Sequence, residues 1–318
     1  MNAADRSMPE TSAQTDGQRR SLRTLPFGKV RRDTLLGWLF VLPALAVYGV
    51  FVLFPVAMTV NYSLYRWDGF NVPKWVGLDN YKTVLTDPEL VNTLFNAFRL
   101  IFFFTVIPVV LGLVVAAVIR GSATGKLGHL ARTVLFLPQV IPLVAAGIVW
   151  TVVLSLNGIA NQFLTAIGLK GITQAWLGSF DWALAAVGMI GAWVLLGLCT
   201  LLLLTGMSKI DKALYEAARI DGAGAFREFF AITLPSLKQE LAVCITVTVI
   251  AALRSFDIVY VSTAGGPGNS TMVPGLEIYD LAFFGRSVGT ASALGVVLIL
   301  IILVLILPIQ WLSRETGE

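Results

Sequence analysis

The chain has 318 residues, of which 56% are hydrophobic and only 13% charged, with a formal net charge of +4. An ordinary soluble domain carries roughly a quarter charged residues, so this composition excludes a water-soluble globular fold and points to an all-α polytopic membrane protein. The small positive excess is no nucleic-acid signal, because the basic residues follow the connections between apolar runs.

Residues 1–33, "MNAADRSMPETSAQTDGQRRSLRTLPFGKVRRD", are polar and poor in aromatics, and are expected to be a disordered cytoplasmic tail. The apolar run that follows starts too late and runs too long for a cleaved signal peptide. Residues 34–318 are expected to form one transmembrane domain with six spans, near 34–60, 93–119, 133–155, 181–205, 238–262 and 289–311. Each run is long enough to cross roughly 30 Å of hydrocarbon as a helix. Pro43, Pro55, Pro108, Pro138 and Pro142 fall inside them. Membrane helices tolerate such prolines because neighbouring groups re-satisfy the freed backbone.

The connections 61–92, 156–180 and 263–288 are the long ones and are expected on one side. In the first, "LDNYKTVLTDPELVNTLFNAF" reads as one short amphipathic helix, lying at the interface or docking a partner. Those three connections hold five Lys and Arg, whereas the two ends and the connections after spans two and four hold sixteen. The positive-inside rule then puts both termini and the polar segment at about 206–237 in the cytoplasm.

Polar residues within spans need a partner or a task, since a charge at mid-membrane costs on the order of 3 kcal/mol. In "LRSFDIVY", Arg254 and Asp257 are three apart and can pair on one helical face, with Ser255 and Tyr260 nearby. A structural ion pair and a polar patch on a solute path are equally open. Asn96 and Arg99 read as snorkelling at the start of span two. Trp193 and Thr200 are either path lining or core, with core favoured. Cys199 and Cys244 lie in apolar runs without metal-ligand or disulfide spacing. The lone His129 reads as a solvated loop residue. "GSATGKL" has three residues between its glycines and Leu127 after Lys126, so it is no phosphate-binding loop.

The segment between spans four and five is helical in pattern although charged. Ser208 and Asp211 fit a capping box. Ile210, Leu214 and Ala217 fall on one face, Ala213, Ala217 and Ala218 keep the helix slim, and Glu216 projects beside them. Gly222 or Gly224 is expected to stop that helix in the left-handed conformation. A second short helix carries Phe226, Phe229 and Phe230. Thr233 is then expected to cap span five, with Pro235 in its first turn. Such a hairpin is either shaped for a groove on a partner or merely a connector.

"EAARIDGAGAFREFFAITLP" resembles the EAA loop of the permease subunits of binding-protein-dependent ABC importers. Glu216, Ala217, Ala218, Gly222, Ile232, Leu234 and Pro235 match that pattern, and Asp221 in "DGA" together with "ITLP" is similar to its carbohydrate branch. "FVLPALAVYGVFVLFPVAMTVNYSLYRWDG", "WVGLDNYKTVL", "VLFLPQVIPLVAAGIVW", "FDIVYVSTAGGPGNST" and "IYDLAFF" resemble one half of a sugar-type permease pair, so the likeness covers nearly everything beyond the tail. The resemblance implies a type I importer permease fold in the cell membrane, carrying a carbohydrate or related polyol, with no covalent chemistry of its own. It implies coupling helices that sit in a cleft of a cytoplasmic ATPase. It further implies a second, homologous permease, two ATPase copies that bind the ATP and Mg, an extracytoplasmic solute-binding protein, and no cofactor in this chain. The rival is a secondary transporter or membrane scaffold without an ATPase. A secondary transporter calls for a coupling-ion site and hydropathy repeats, and the sequence has neither.

Overall fold

A computed structural model describes residues 27–122 and 126–314. The expectations for residues 1–26, for 123–125 of "GSATGKL" and for the His129 side chain lie outside what is described. The chain divides into two compact units, Met1–Pro55 and Val56–Glu318. In the first, α1 (Phe27–Tyr48) passes through Pro43 and runs on into a π turn, Gly49–Leu53, with its apolar side chains uncovered from Gly37 onward. α2 (Phe54–Tyr62) continues it.

In the second unit, a short hairpin that an all-α reading misses follows α2. Strands β1 (Tyr65–Arg66) and β2 (Lys74–Trp75) pair antiparallel, with Tyr65 opposite Trp75. Asp68 organises its turn by accepting the Phe70 N–H at 3.0 Å and the Asn71 N–H at 2.8 Å. Those bonds, Asn71's first, hold its carboxyl down at about 2.

The single amphipathic helix expected next is two helices, α3 (Asp79–Thr86) and α4 (Pro88–Ile101). Asp87 separates them because its carboxylate caps α4 through the Glu89 N–H and Pro88 takes the first turn. A π turn, Phe102–Val106, leads into α5 (Ile107–Ser122). Next come α6 (Lys126–Val140), α7 (Leu143–Val153), α8 (Ile159–Ala166) and α9 (Ala183–Lys209). α10 (Lys212–Ile220), α11 (Ala225–Glu228), a π turn Phe229–Thr233 and α12 (Leu234–Ser236) form the polar hairpin. The chain ends with α13 (Lys238–Leu253), α14 (Asp257–Ser262), α15 (Pro274–Phe283) and α16 (Val288–Arg314).

Among the described residues, four helices are long and apolar enough to cross a membrane: Gly37–Tyr62, Pro88–Arg120, Ala183–Lys209 and Val288–Ser313. The count reaches six if each of two bent pairs is one span. Span three is therefore bent rather than a single rod, and span five is broken between α13 and α14, at Arg254–Phe256. α6 and α7 meet at 99° across Ile141–Pro142, where proline disfavours helical backbone at the residue before it. The α11–α12 segment meets α13 at 69°.

Three prolines share one device. Pro55, Pro108 and Pro235 each come two residues after the end of a π turn. Proline has no N–H, and its ring clashes with the carbonyl four residues back. The wider turn re-registers the ladder just before it, as in the Leu234 N–H bond to the Phe229 carbonyl. The helices stay continuous through these prolines.

α9 is the central helix. Leu100, Phe104, Val187, Ile190, Leu195, Ala252 and Leu276 form one buried cluster, and Val109, Ala116, Cys199, Leu203, Met207 and Leu237 another. Gly191 lets the Phe104 ring lie directly on α9, where a Cβ would collide with it. Gly197 admits the Leu135 carbonyl of α6 in the same way.

The long connections gather on one face. Phe180 packs on Gly268, the Gly289 N–H reaches the Trp67 carbonyl at 3.3 Å, and Asn80 donates to the Ser63 and Tyr65 carbonyls at 2.8 and 2.9 Å. Asn96 does not snorkel. It is fully buried and donates to the carbonyls of Ser270 and Met272 at 3.1 and 2.9 Å, while Arg99 donates to its Oδ1 at 3.0 Å.

Candidate functional site

The two interrupted helices open on one cavity of about 380 Å³. Gln139, Ile141 and Leu143 line it from the α6–α7 break, and Arg254, Ser255, Phe256 and Asp257 from the break between α13 and α14. Gly191, Val194 and Leu195 of α9, Phe104 of the π turn and apolar side chains of α13 add to its wall. Most of the wall is apolar, and the polar groups are concentrated at the two breaks, as in small-molecule sites generally. The Gln139 Oε1 and the Ser255 Oγ are buried without a hydrogen-bond partner. A buried polar atom left unpaired costs roughly 1–3 kcal/mol, so both are poised for a ligand or water.

Arg254 and Asp257 are brought to one cavity but not onto one helical face. α13 ends at Leu253, Arg254 caps it, and Asp257 starts α14. The ion pairs among the described residues are instead Lys209–Glu240 at 3.3 Å and Arg219–Glu228 at 2.8 Å. Arg254 and Asp257 are exposed and Ser255 is buried. Tyr260 lies outside the cavity wall, stacked at 5.3 Å on Phe256, with Tyr279 at 5.8 Å. Trp193 is also outside the wall and packs edge-on against Trp150 at 5.5 Å. The sequence reading missed Gln139, Phe104 and Gly191. Pro142 was the available signal for the first break, and the polar "RS" inside an apolar run for the second.

The hairpin departs from its expected caps in detail. Asp211, not Ser208, caps α10, accepting the Ala213 N–H at 2.9 Å, while the Ser208 hydroxyl donates back into α9 to the Leu204 carbonyl. Ile210 is the residue that ends α9 and takes no part in α10. Gly222, at φ +77°, makes the left-handed stop, and Gly224 at φ −77° does not. The Gly222 N–H bonds the Arg219 carbonyl and the Ala223 N–H the Ala218 carbonyl, which is a complete Schellman closure beginning at Asp221. Thr233 is helical and caps nothing. Ile232, Thr233, Leu234 and Pro235 continue one helix through Ser236 rather than starting span five, which begins at Lys238.

Glu216, Ala217, Asp221, Gly222 and Pro235 are exposed, and Ala218, Ile232 and Leu234 half-buried. Leu214, Ile220 and Phe226 are 52%, 86% and 80% exposed, so the hairpin presents an apolar surface that nothing among the described residues covers. Its inner side is polar and ties its two arms together. Arg219 pairs with the buried Glu228, and Tyr215 bonds Thr233 at 2.8 Å. At its far end the hairpin passes through the 69° bend into α13, whose 16 residues end at Leu253, with Arg254 as the cap.

Residues 109–316 match the family model described as "Binding-protein-dependent transport system inner membrane component". The chain is 35% identical over 291 residues to the probable ABC transporter permease YurN of Bacillus subtilis, covering 91% of this chain and 99% of that one. It is 35% identical over 284 residues to the lactose transport system permease LacF of Rhizobium radiobacter (88% and 94% covered). It is 34% identical over 322 residues to the diacetylchitobiose uptake permease NgcF of Streptomyces coelicolor (97% and 89% covered). Its fold matches a chain of a bacterial ABC transporter that imports the acidic polysaccharide alginate, with a TM-score of 0.74 at 23% identity, covering 92% of this chain and 99% of that chain.

Proposed function

The chain belongs to the family of binding-protein-dependent transport system inner membrane components, and we propose that it is the permease half-channel of an ATP-driven importer for a carbohydrate or related polyol. The observation that carries the reading is the course of α13, which joins the exposed hairpin at one end to the polar break of the cavity at the other. A helix of 16 residues spans roughly 24 Å, most of a bilayer core. Displacing the hairpin therefore tilts a rigid rod whose other end carries Arg254.

In this reading Glu216, Ala217, Ala218, Asp221, Gly222, Ile232, Leu234 and Pro235 form the face and frame that an ATPase grips. Arg254, Ser255, Asp257, Gln139 and Phe104 meet the solute. Relatives named for lactose, diacetylchitobiose and trehalose/maltose transport support a sugar. So does a wall combining apolar and aromatic surface with a guanidinium, a carboxylate and unpaired hydroxyl and amide oxygens. Tyr260, outside that wall, backs it through the stacked Phe256, whereas Trp193 packs on Trp150 and takes no part in it. The excess of basic residues favours a hairpin and both termini in the cytoplasm. The partners are a second permease of this fold, two copies of the ATPase, which hold the ATP and Mg and perform the hydrolysis, and an extracytoplasmic binding protein. A cofactor in this chain has no role in the scheme, and residues 34–318 act as one domain.

The test is uptake by the reconstituted complete importer carrying Glu216→Lys. Charge reversal on the exposed face is expected to abolish uptake while the chain still inserts. Wild-type uptake at verified subunit stoichiometry would reduce the hairpin to a connector and revive a secondary transporter.

A further inference from the structure

The hairpin touches the body at a second place besides α13. Arg120, in the last turn of α5, donates from Nη1 to the Tyr215 Oη at 2.6 Å, and its guanidinium carbon lies 4.4 Å from the centroid of the Tyr215 ring. The same tyrosine hydroxyl, accepting from Arg120, shares a second hydrogen bond with the Thr233 Oγ1 at 2.8 Å. Thr233 is buried and Tyr215 half-buried, both at the wall of a cleft. Arg120 and Tyr215 are 95 residues apart in the chain, and Thr233 lies on the other arm of the hairpin. Three elements thus converge on one phenol: the end of α5, the α10 arm and the α11–α12 arm.

Ala117, Arg120, Met207, Glu216, Arg219, Glu228 and Phe229 also border the cleft of about 420 Å³ in which this junction lies. The cleft leaves room for the hairpin to shift against α5, and the junction decides whether α5 shifts with it. α5 is continuous, through its π turn, with α4 and carries the Phe104 that walls the cavity.

We propose that Arg120 and Tyr215 are positioning residues that latch the hairpin to α5, so that one displacement moves both cavity walls, Phe104 through α5 and Arg254 through α13. The proposal rests on the reading of the hairpin as the ATPase handle. A salt-bridge partner for Arg120 would serve less well. Its charge is held by a neutral oxygen and a ring face, so the bond can slide as the cleft changes shape without leaving a buried charge exposed to an opposite one.

The experiment measures solute transported per ATP hydrolysed by the complete reconstituted importer, normalised to assembled complex. Tyr215→Phe keeps the ring and loses both hydroxyl bonds by deleting one atom. Arg120→Met removes the donor, and Arg120→Lys keeps a cation near the ring. Tyr215→Phe and Arg120→Met are expected to hydrolyse ATP but to transport about tenfold less per ATP, a linkage loss of about 1.4 kcal/mol. The double variant is expected to match the worse single within about twofold, as for residues acting in one link. Arg120→Lys is expected to recover most of the ratio. An unchanged ratio in Tyr215→Phe overturns the latch, as does a multiplicative double variant. A loss of uptake explained entirely by poor assembly overturns it as well, and if Arg120→Met does not assemble, Tyr215→Phe decides alone. Glu216→Lys separates the two readings. If it transports normally, the handle itself is wrong. If it is dead while Tyr215→Phe is normal, the handle stands and only the latch falls.

Discussion

Two of the turns that carry residues in the left-handed region are built in opposite ways. Between α14 and α15, Ala264, Gly265, Gly268 and Asn269 all have positive φ. That turn is closed on itself by the Thr263–Thr271 hydroxyl pair at 2.7 Å and tied to α4 by the two Asn96 bonds. Thr271, Val273 and Asn96 are completely buried. The hairpin turn has one left-handed residue, Gly222, and a side chain added there would meet open space. The first turn is a frame whose Thr263 and Thr271 hydroxyls and Ser270 and Met272 carbonyls are bonded inside the protein, and the second, the lever of the proposed function, keeps its surface free. Segments that move in function come from the low-stability end of a structure, and the proposed function assigns that part to the hairpin. The two are joined through the cavity, since α13 leaves the hairpin, breaks at Arg254–Phe256, and continues as α14 into the frame.

The strongest test of the frame is Asn96→Leu. It removes the amide and leaves the Ser270 and Met272 carbonyls buried and unpaired, at roughly 1–3 kcal/mol each. It also frees Arg99. The expected outcome is a sharp fall in assembled complex and in thermal stability in detergent, with uptake lost in proportion. If instead yield stayed normal and only transport failed, the turn would be a moving part and the contrast with the hairpin would collapse.

Gly222→Val is next. The left-handed backbone costs a β-branched residue roughly 1–2 kcal/mol, and no steric clash adds to it. The helices are expected to insert and pack normally, while α10 loses its angle to α11. Uptake should be abolished, and ATP hydrolysis should become nearly insensitive to the solute-loaded binding protein. A variant with normal uptake would mean that the hairpin's shape carries no information.

Asp257→Asn probes the junction between lever and frame. Asp257 lines the cavity at the first turn of α14. Loss of its charge is expected to reduce uptake about tenfold, equivalent to about 1.4 kcal/mol, with assembly unchanged. Reduced assembly with normal transport per complex would make Asp257 a structural residue of the frame.

The lever was far easier to read from the sequence than the cavity. Glu216 to Pro235 form a contiguous pattern, and a hairpin needs only local spacing, an acidic cap and a glycine. Even there the cap was misplaced from Asp211 to Ser208, because the Ser208 hydroxyl bonds back into α9, a contact that spacing does not reveal. The apolar runs were equally clear, since hydropathy needs no knowledge of neighbours. Their interruptions were not. Pro55, Pro108 and Pro235 leave helices continuous behind π turns, whereas Ile141–Pro142 breaks one, and the difference lies in how the ladder can re-register. The cavity was the least visible feature, because Gln139 of α6, Gly191 of α9 and Ser255 of the α13–α14 break meet only after packing. Asn96 was misread for the same reason, as its partners lie 174 and 176 residues away.

The smallest effect concerns the rim of the frame. Glu277 of α15 lines a crevice with Glu89, Asn92, Gly268 and Asn269. Partial burial is the main cause that lifts its carboxyl above the usual 4.5, and Asp280, Glu89 and Asp87 add to it. The folded state therefore holds this proton more tightly than the unfolded chain does. Below the unfolded value both states are protonated and the site has no influence. As the pH rises from there through the folded value, the unfolded chain releases its proton first, and stability falls until the folded carboxyl also ionises. Above that the deficit is constant. Glu277→Gln removes the titration, so the variant is expected to be slightly more stable than the parent at neutral pH and equal to it in acid. The gain is small because the side chain is half exposed and water screens it. Thermal unfolding of both proteins in detergent from about pH 4 to pH 8 checks this. A gap that widened on acidification would mean that Glu277 is held as a carboxylate by a partner in the folded frame, and the rim would then be cohesive rather than self-repelling.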